Sequence, residues 1–266
     1  MSSSYKSKDA PITTTTVVKP GELIDIVEVT PLTLHDRRVF NLLLQNAWPT
    51  ITDNTEHVIL KADLKGNHVG NERIEDTLNR LQTTLVKIQS ERDGMAYEIS
   101  INLIGRIDRP VTGDGKIYYR FQPEVREVIA NSGVFARLHK DVMLALSSKY
   151  ALSLYEMIQK RGNLQHVWHE TFTVERLRSL LGVPRDRLTS YKNFKARALI
   201  PAVMEVNGLS HFGVGFREIK KGRSVEQIQI SWHRKSIEEM KKAFAELRQP
   251  KVGRAARLAG TVDSAL

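Results

Sequence analysis

Five cations and one acid occupy the segment from Arg185 to Arg197: Arg185, Arg187, Lys192, Lys195 and Arg197 against Asp186. Ser190, Asn193 and the small Ala196 stand among them. These residue types suit reading a duplex rather than breaking a bond. Cations neutralise phosphates or grip guanine edges, an amide pairs with adenine, and an alanine lets a helix approach the major groove closely. A second cluster, Lys220, Lys221 and Arg223, surrounds Gly222 and suits contact with a phosphate backbone. Either cluster alone also fits the solvated face of an ordinary helix or turn, so the flanking elements decide.

Those elements are explicit from Phe172 to Asn207. Thr173 is placed to cap a helix, with Phe172 and Leu177 at the two positions of a hydrophobic staple. Val174, Leu177, Leu180 and Leu181 follow at helical spacing, Gly182 marks the stop and Pro184 prevents continuation. A second helix should open near Thr189 with Tyr191, Phe194 and Ala198 on its buried stripe. Thr189, Lys192, Asn193 and Ala196 then face outward, with Lys195 and Arg197 on the flanks. The stretches 211–220 and 224–232 alternate as two strands around the Lys220–Arg223 turn. A helix-turn-helix followed by a basic hairpin is the outline of a winged-helix unit.

The first half has the same order. Thr33 and Asp36 resemble a capping box ahead of a helix through Leu44 that ends before Pro49. A short apolar strand is expected over 23–29, an extended piece over 58–60, and a helix over 71–83 with Ile74, Leu78 and Leu81 on its buried side. Strands are expected over 85–88, 96–104 and 116–121, the first two joined by a turn at Asp93-Gly94. Arg73 and Arg80 are the DNA-contact candidates of this half, on a helix without a basic concentration. The fold class expected is α+β, two tandem winged-helix DNA-binding domains. A flexible arm is expected over 1–20, a first winged helix over 21–145, a second over 146–247 for the main recognition, and a basic flexible tail over 248–266.

The 266 residues carry a net charge of +10, which favours a polyanionic partner. The absence of cysteine excludes disulfides, thiol catalysis and zinc fingers. Neither the polar N-terminal segment nor any later run has the apolar length of a signal peptide or a membrane span, so a cytoplasmic protein without membrane partners is expected. No cofactor, metal or catalytic group is expected either. His166 and His169 are separated by two residues, which on a strand puts the imidazoles on opposite faces. Gly113-Asp114-Gly115-Lys116 lacks the spacing and the hydroxyl of a phosphate-binding loop.

Three runs in order carry a family resemblance. They are Leu32-Thr33-Leu34-His35-Asp36-Arg37, then Leu146-Ser147-Ser148-Lys149-Tyr150-Ala151-Leu152-Ser153-Leu154-Tyr155-Glu156, then Tyr191 to Ala202 continued by Glu205-Val206-Asn207. From about residue 23 to 241 the chain resembles the iteron-binding replication initiators of theta-replicating bacterial plasmids. The resemblance implies two winged helices on one directly repeated origin site, the second reading the major groove. It also implies that the first domain, over 21–145, serves dimerisation and auxiliary DNA contact, with dimers in equilibrium with monomers and the dimer repressing its own gene at an operator. A host initiator and the replicative helicase are implied as further partners. A transcriptional repressor without an initiator role, or a rolling-circle initiator that nicks DNA, are the alternatives.

Overall fold

The structure, a computed structural model, describes residues 15–259 apart from 66–73, 93, 111, 113–114, 163 and 165. The chain divides between Lys140 and Asp141 into two units.

In the first unit, Thr33 starts the helix as expected. Its hydroxyl accepts from the Asp36 amide and the Asp36 carboxylate accepts from the Thr33 amide. This closes two of the orphan donors at the helix start. The elements run β1 (Thr16–Pro20), β2 (Val27–Glu28), α1 (Leu34–Ala47), β3 (His57–Leu60), α2 (Lys61–Lys65) and α3 (Ile74–Thr83). They continue with β4 (Leu85–Arg92), β5 (Met95–Asn102), β6 (Ile104–Asp108), β7 (Lys116–Phe121), α4 (Pro123–Asn131) and β8 (Phe135–His139).

Helix α1 is buried almost all round, and its polar residues therefore have partners. The Asp36 carboxylate also receives the Arg80 guanidinium of α3 at 2.8 Å. Arg37 meets Glu28 at 2.5 Å with both side chains 3 % exposed. The Tyr119 hydroxyl of β7 donates to the Leu43 carbonyl at 2.7 Å. Phe40, His57, Tyr119 and Phe121 stack around that point.

The second unit contains α5 (Lys140–Ala145, beginning at the boundary), α6 (Lys149–Arg161), β9 (His169–Thr173), α7 (Val174–Leu180), α8 (Tyr191–Phe194) and α9 (Ile200–Leu209). It ends with β10 (Phe212–Lys221), β11 (Ser224–Arg234), α10 (Ile237–Arg248) and α11 (Arg254–Leu258). Ser148, Thr173, Ser190 and Ser236 each cap the helix that follows. The sheet order is β10-β11-β9, and the first unit repeats it as β6-β7-β3. In both, the strand before the second helix of the trio pairs with the last strand of the hairpin, all antiparallel. Each unit is therefore a winged helix: α1, β3, α2, α3 and the β6–β7 hairpin, then α6, β9, α7, α8–α9 and the β10–β11 hairpin.

Several expectations are corrected. The arm does not extend to residue 20, because β1 pairs with β8 and Val17 and Val18 are buried. A run of consecutive β-branched residues, Thr15 to Val18, outweighs the polar composition before it. Residues 1–14 lie outside the described set. The run expected as a strand over 23–29 forms one only at Val27–Glu28, and Leu23, Ile24 and Ile26 are buried in the preceding turn. The stretch 96–104 splits at Leu103 into β5 and β6, so the wing of the first unit is β6–β7. The β4–β5 hairpin is an insertion that makes its own sheet with β2.

The tail is not free over 248–258. Arg254 is buried, donates to the Ala145 carbonyl at 3.0 Å and pairs with Glu246. Leu258 covers Gly208 so closely that a Cβ there would lie 2.3 Å from its methyl. Residues 260–266 lie outside the described set.

Candidate nucleic-acid interface

Helix α8, a π-helical turn over Lys195–Leu199 and α9 form one continuous helical path. Two features of the sequence account for the wide turn. Pro201 has no N–H to offer the carbonyl four residues back, and its ring crowds that carbonyl. In addition, Phe194, Ala198, Ala202 and Val206 are all buried at a spacing of four. At 3.6 residues per turn such a stripe drifts by about 40° per step, and a wider turn takes up the drift.

With the core side of this path fixed, Thr189, Lys192, Asn193, Ala196 and Arg197 are exposed on the other side. Among the described residues, Arg185, Lys192 and Arg197 make no ion pair. Arg187 meets only its neighbour Asp186 at 3.6 Å, both three-quarters exposed, and such a pair contributes little. Ser190 is the N-cap of α8, its hydroxyl accepting from the Asn193 amide at 3.3 Å. It therefore positions Asn193 whether or not it also meets a ligand.

The turn ahead of this helix is built by Arg178 of α7. Its guanidinium donates to the Leu188 carbonyl and, at 2.6 Å, to the Arg187 carbonyl. It also lies 5.8 Å from the centre of the buried Phe194 ring. These bonds hold Leu188 at a φ of +48°, a conformation that costs a branched side chain energy unless its surroundings enforce it. The carbonyls of the connecting loop gave no sequence signal, so Arg178 was not singled out.

Lys195 departs from the expected pattern. It is half-buried and points at the wing strand, where its ammonium meets the Glu218 carboxylate at 2.6 Å. The same Oε1 accepts from the Tyr191 hydroxyl at 2.8 Å. Tyr191 is thus half-buried against the sheet rather than in the core, and burial together with Glu218 pushes its phenol well above the ordinary tyrosine range. The Lys195 hydrogen bond holds the Glu218 carboxyl below its usual range. Sequence reasoning also missed Glu218, although a signal existed: it follows Val214 and Phe216 at period two, on the core-facing side of β10 opposite Ile228.

The wing tip is Gly222-Arg223, a two-residue loop with Gly222 at a φ of +61°. Glycine at the first loop position matches a tight hairpin turn. Lys220, Lys221 and Arg223 are exposed there, Lys221 facing Glu226 at 3.8 Å. The second unit therefore brings together the outer face of α8 and, at the hairpin tip, a second set of cations.

The first unit does not repeat this chemistry. Arg73 lies outside the described residues. Arg80 is engaged by Asp36 and Thr77, a bond that joins α3 to α1. The exposed side of α3 is Asp76, Asn79 and Thr83, with Asn79 accepting from Arg109 at 3.0 Å. His166 and His169 are both exposed, and among the described residues no group of three His, Cys, Asp or Glu could hold a metal ion.

Two residues at the end of the third run hold the fold together. Glu205 of α9 accepts from the Ser147 amide and hydroxyl at 2.5 and 2.6 Å, joining the second and third runs. Asn207 binds both polar groups of Val214, accepting at 2.6 Å and donating at 2.9 Å, and so fixes β10 to the end of α9.

Two tandem winged helices, the second with an exposed cationic and amide helix face above a basic hairpin tip, define a double winged-helix protein of DNA-binding type. The chain belongs to the family of replication initiator proteins: the domain described as "Initiator Replication protein, WH1" matches residues 16–159 and "Initiator Rep protein, WH2" matches residues 173–232. Among solved structures the chain is similar to the Pi initiator protein in complex with iteron DNA, with a TM-score of 0.58 and 17 % identity over 84 % of this chain and 98 % of that one. A structure of domains 2 and 3 of RctB aligns at a TM-score of 0.44 and 12 % identity, over 84 % of this chain and 94 % of that one. No curated protein sequence matches significantly.

Proposed function

We propose that this initiator binds directly repeated sites, iterons, in the double-stranded DNA of a bacterial plasmid origin. Bound copies strain and open the duplex there, and the protein represses its own gene. The observation that carries the reading is the exposed row Lys192, Asn193, Ala196 and Arg197 on a helix whose opposite side is core. Such a row enters a major groove, while Arg185, Arg187, Lys220, Lys221 and Arg223 neutralise flanking phosphates. The iteron complex of the structurally similar Pi initiator supports the choice of repeats as the target.

The protein acts by binding and carries out no chemistry of its own. It works in the bacterial cytoplasm with a host initiator and the replicative helicase. Among the described residues no helix is long and apolar enough to cross a membrane. A dimer forms through the first unit, in equilibrium with monomer. The edge of β5 supports this, since an eight-residue strand paired, among the described residues, only with β4 and largely exposed offers backbone groups to a second copy.

The test is a footprint on DNA flanking the gene at about 150 mM salt, where non-specific binding is weak. Regularly spaced protection over direct repeats is expected. A single protected palindrome at the promoter would favour the repressor, and a covalent tyrosine–DNA adduct on a denaturing gel the nicking enzyme.

A further inference from the structure

Glu218 stands where a winged helix has most reason to avoid an acid. It lies on the wing strand, facing the helix proposed to read the bases. Its Oε1 atom holds Tyr191 and Lys195 together, at 2.8 and 2.6 Å. These residues are one turn apart on the same side of the helix, at the point where the π turn begins. The Lys195 ammonium also lies 5.7 Å from the centre of the Phe216 ring, two residues before Glu218 on β10. One carboxylate therefore ties the first turn of the helix to the wing and neutralises the one cation of the recognition segment that points at the wing.

We infer that Glu218 is a specificity-determining positioning residue: it holds Lys195 against the wing strand, setting the pitch of the base-reading face and withholding Lys195 from phosphates. The inference rests on the proposed function, because it assumes that Lys192, Asn193 and Ala196 face a groove. Its physical basis is a difference between two kinds of attraction. A cation on a phosphate strengthens binding to every sequence equally, whereas a fixed helix pitch strengthens only the matching one. An acid that removes the first lowers affinity for every duplex alike, and by enforcing the second it raises the ratio of specific to non-specific binding. The flexible lysine stem would otherwise carry its charge to a phosphate. Lys192 and Arg197 have no such acid, and their charges stay available to DNA.

The test compares wild type, Glu218→Gln, Glu218→Asp, and Glu218→Gln combined with Lys195→Gln, on an iteron-bearing origin fragment and on a random duplex of equal length. Each titration is repeated from 50 to 200 mM salt, and thermal melting reports folding. Glutamine keeps the acceptor oxygen and removes the charge. Binding of Glu218→Gln to random duplex should tighten, and its slope of log affinity against log salt should steepen by about 0.9. Over that salt range this is about a 3.5-fold larger loss of affinity than in wild type. The ratio of specific to random binding should fall, because the freed cation adds equally to both DNAs while the lost helix pitch weakens only the matching one. Adding Lys195→Gln should return the slope to the wild-type value. Glu218→Asp, which keeps the charge, should keep the wild-type slope even if it melts earlier.

An unchanged slope in Glu218→Gln, or an equal loss on both DNAs, would reduce Glu218 to a structural residue and overturn the inference. A wild-type protein that does not distinguish the two fragments would instead refute the proposed function. The slopes on random duplex would still decide the role of Glu218.

Discussion

Four side chains illustrate how much single residues decide. Lys192 and Asn193 are exposed, and Asn193 is held in place from behind by Ser190. Replacing either by alanine should cost about 1–3 kcal/mol on the matching repeat and relax preference at one base, as read by competition titrations. Equal affinity for matched and mismatched repeats already in wild type would remove both from base reading. Lys221 at the hairpin tip should behave differently: Lys221→Ala weakens binding to all sequences alike and makes the salt slope shallower by about 0.9. His57 concerns stability instead. Its ring is buried against Tyr119 and Phe121, and Nε2 has no hydrogen-bond partner among the described residues. Burial lowers its pKa, and Arg120 and Arg126 add to this against the opposing pull of Asp53. Above the ordinary histidine value of about 6.5 neither state carries the proton. Below it the unfolded chain takes up the proton first, so stability falls with falling pH by up to about 1.4 kcal/mol per unit until the folded pKa is reached. Chemical denaturation between pH 7.5 and 5 should show this fall in wild type and a smaller one in His57→Phe.

Elements were legible where the sequence carries a local rule. The caps at Thr33 and Thr173, the stop at Gly182 and the tight turn at Gly222 all depend on a few adjacent residues, and the structure places each as read. What was missed depends on residues far apart. The β6 strand, the wing of the first unit and β8 are defined by their partners, and β1 became a strand because β8 lies beside it. In the site, the outward row was readable from helical spacing. The capture of Lys195 by Glu218 and of Arg80 by Asp36 joins residues 23 and 44 positions apart, beyond any local pattern. The π turn lies between these cases. Of its two causes, the apolar residues at a spacing of four remain when Pro201 is replaced, so Pro201→Ala should retain the wide turn. DNA affinity and stability should both stay within about 1 kcal/mol of wild type. A large loss of affinity with unchanged melting would assign the turn to the proline alone. The C-terminal helix α11 is held by Leu258 over Gly208 and by Arg254 and Arg257 on Glu246. Leu258→Ala should destabilise the second unit by about 2 kcal/mol, seen as an earlier thermal transition.

At the scale of the whole molecule, the +10 charge supplies attraction to any duplex, and two winged helices of matching topology divide the remaining work. The second carries the exposed cations of the proposed reading helix and its wing, and the first carries, among the described residues, the open edge of β5. Tyr97→Lys on β5 places a charge on that edge, which blunts strand pairing between copies. Sedimentation should then show a shift from dimer towards monomer while the affinity of a monomer for one repeat is unchanged. Loss of both together would move the dimer contact onto the DNA-binding surface. The pairing of β1 with β8 has a mechanical consequence. Thr16 lies opposite His139, so the chain enters and leaves the first unit at the same end of one two-stranded ribbon. Tension drawn through the backbone at these two points loads a single rung at a time, starting at Thr16 and His139. Such a ribbon peels open at low force, as a zipper does, while α1 and the β6-β7-β3 sheet remain off the line of pull.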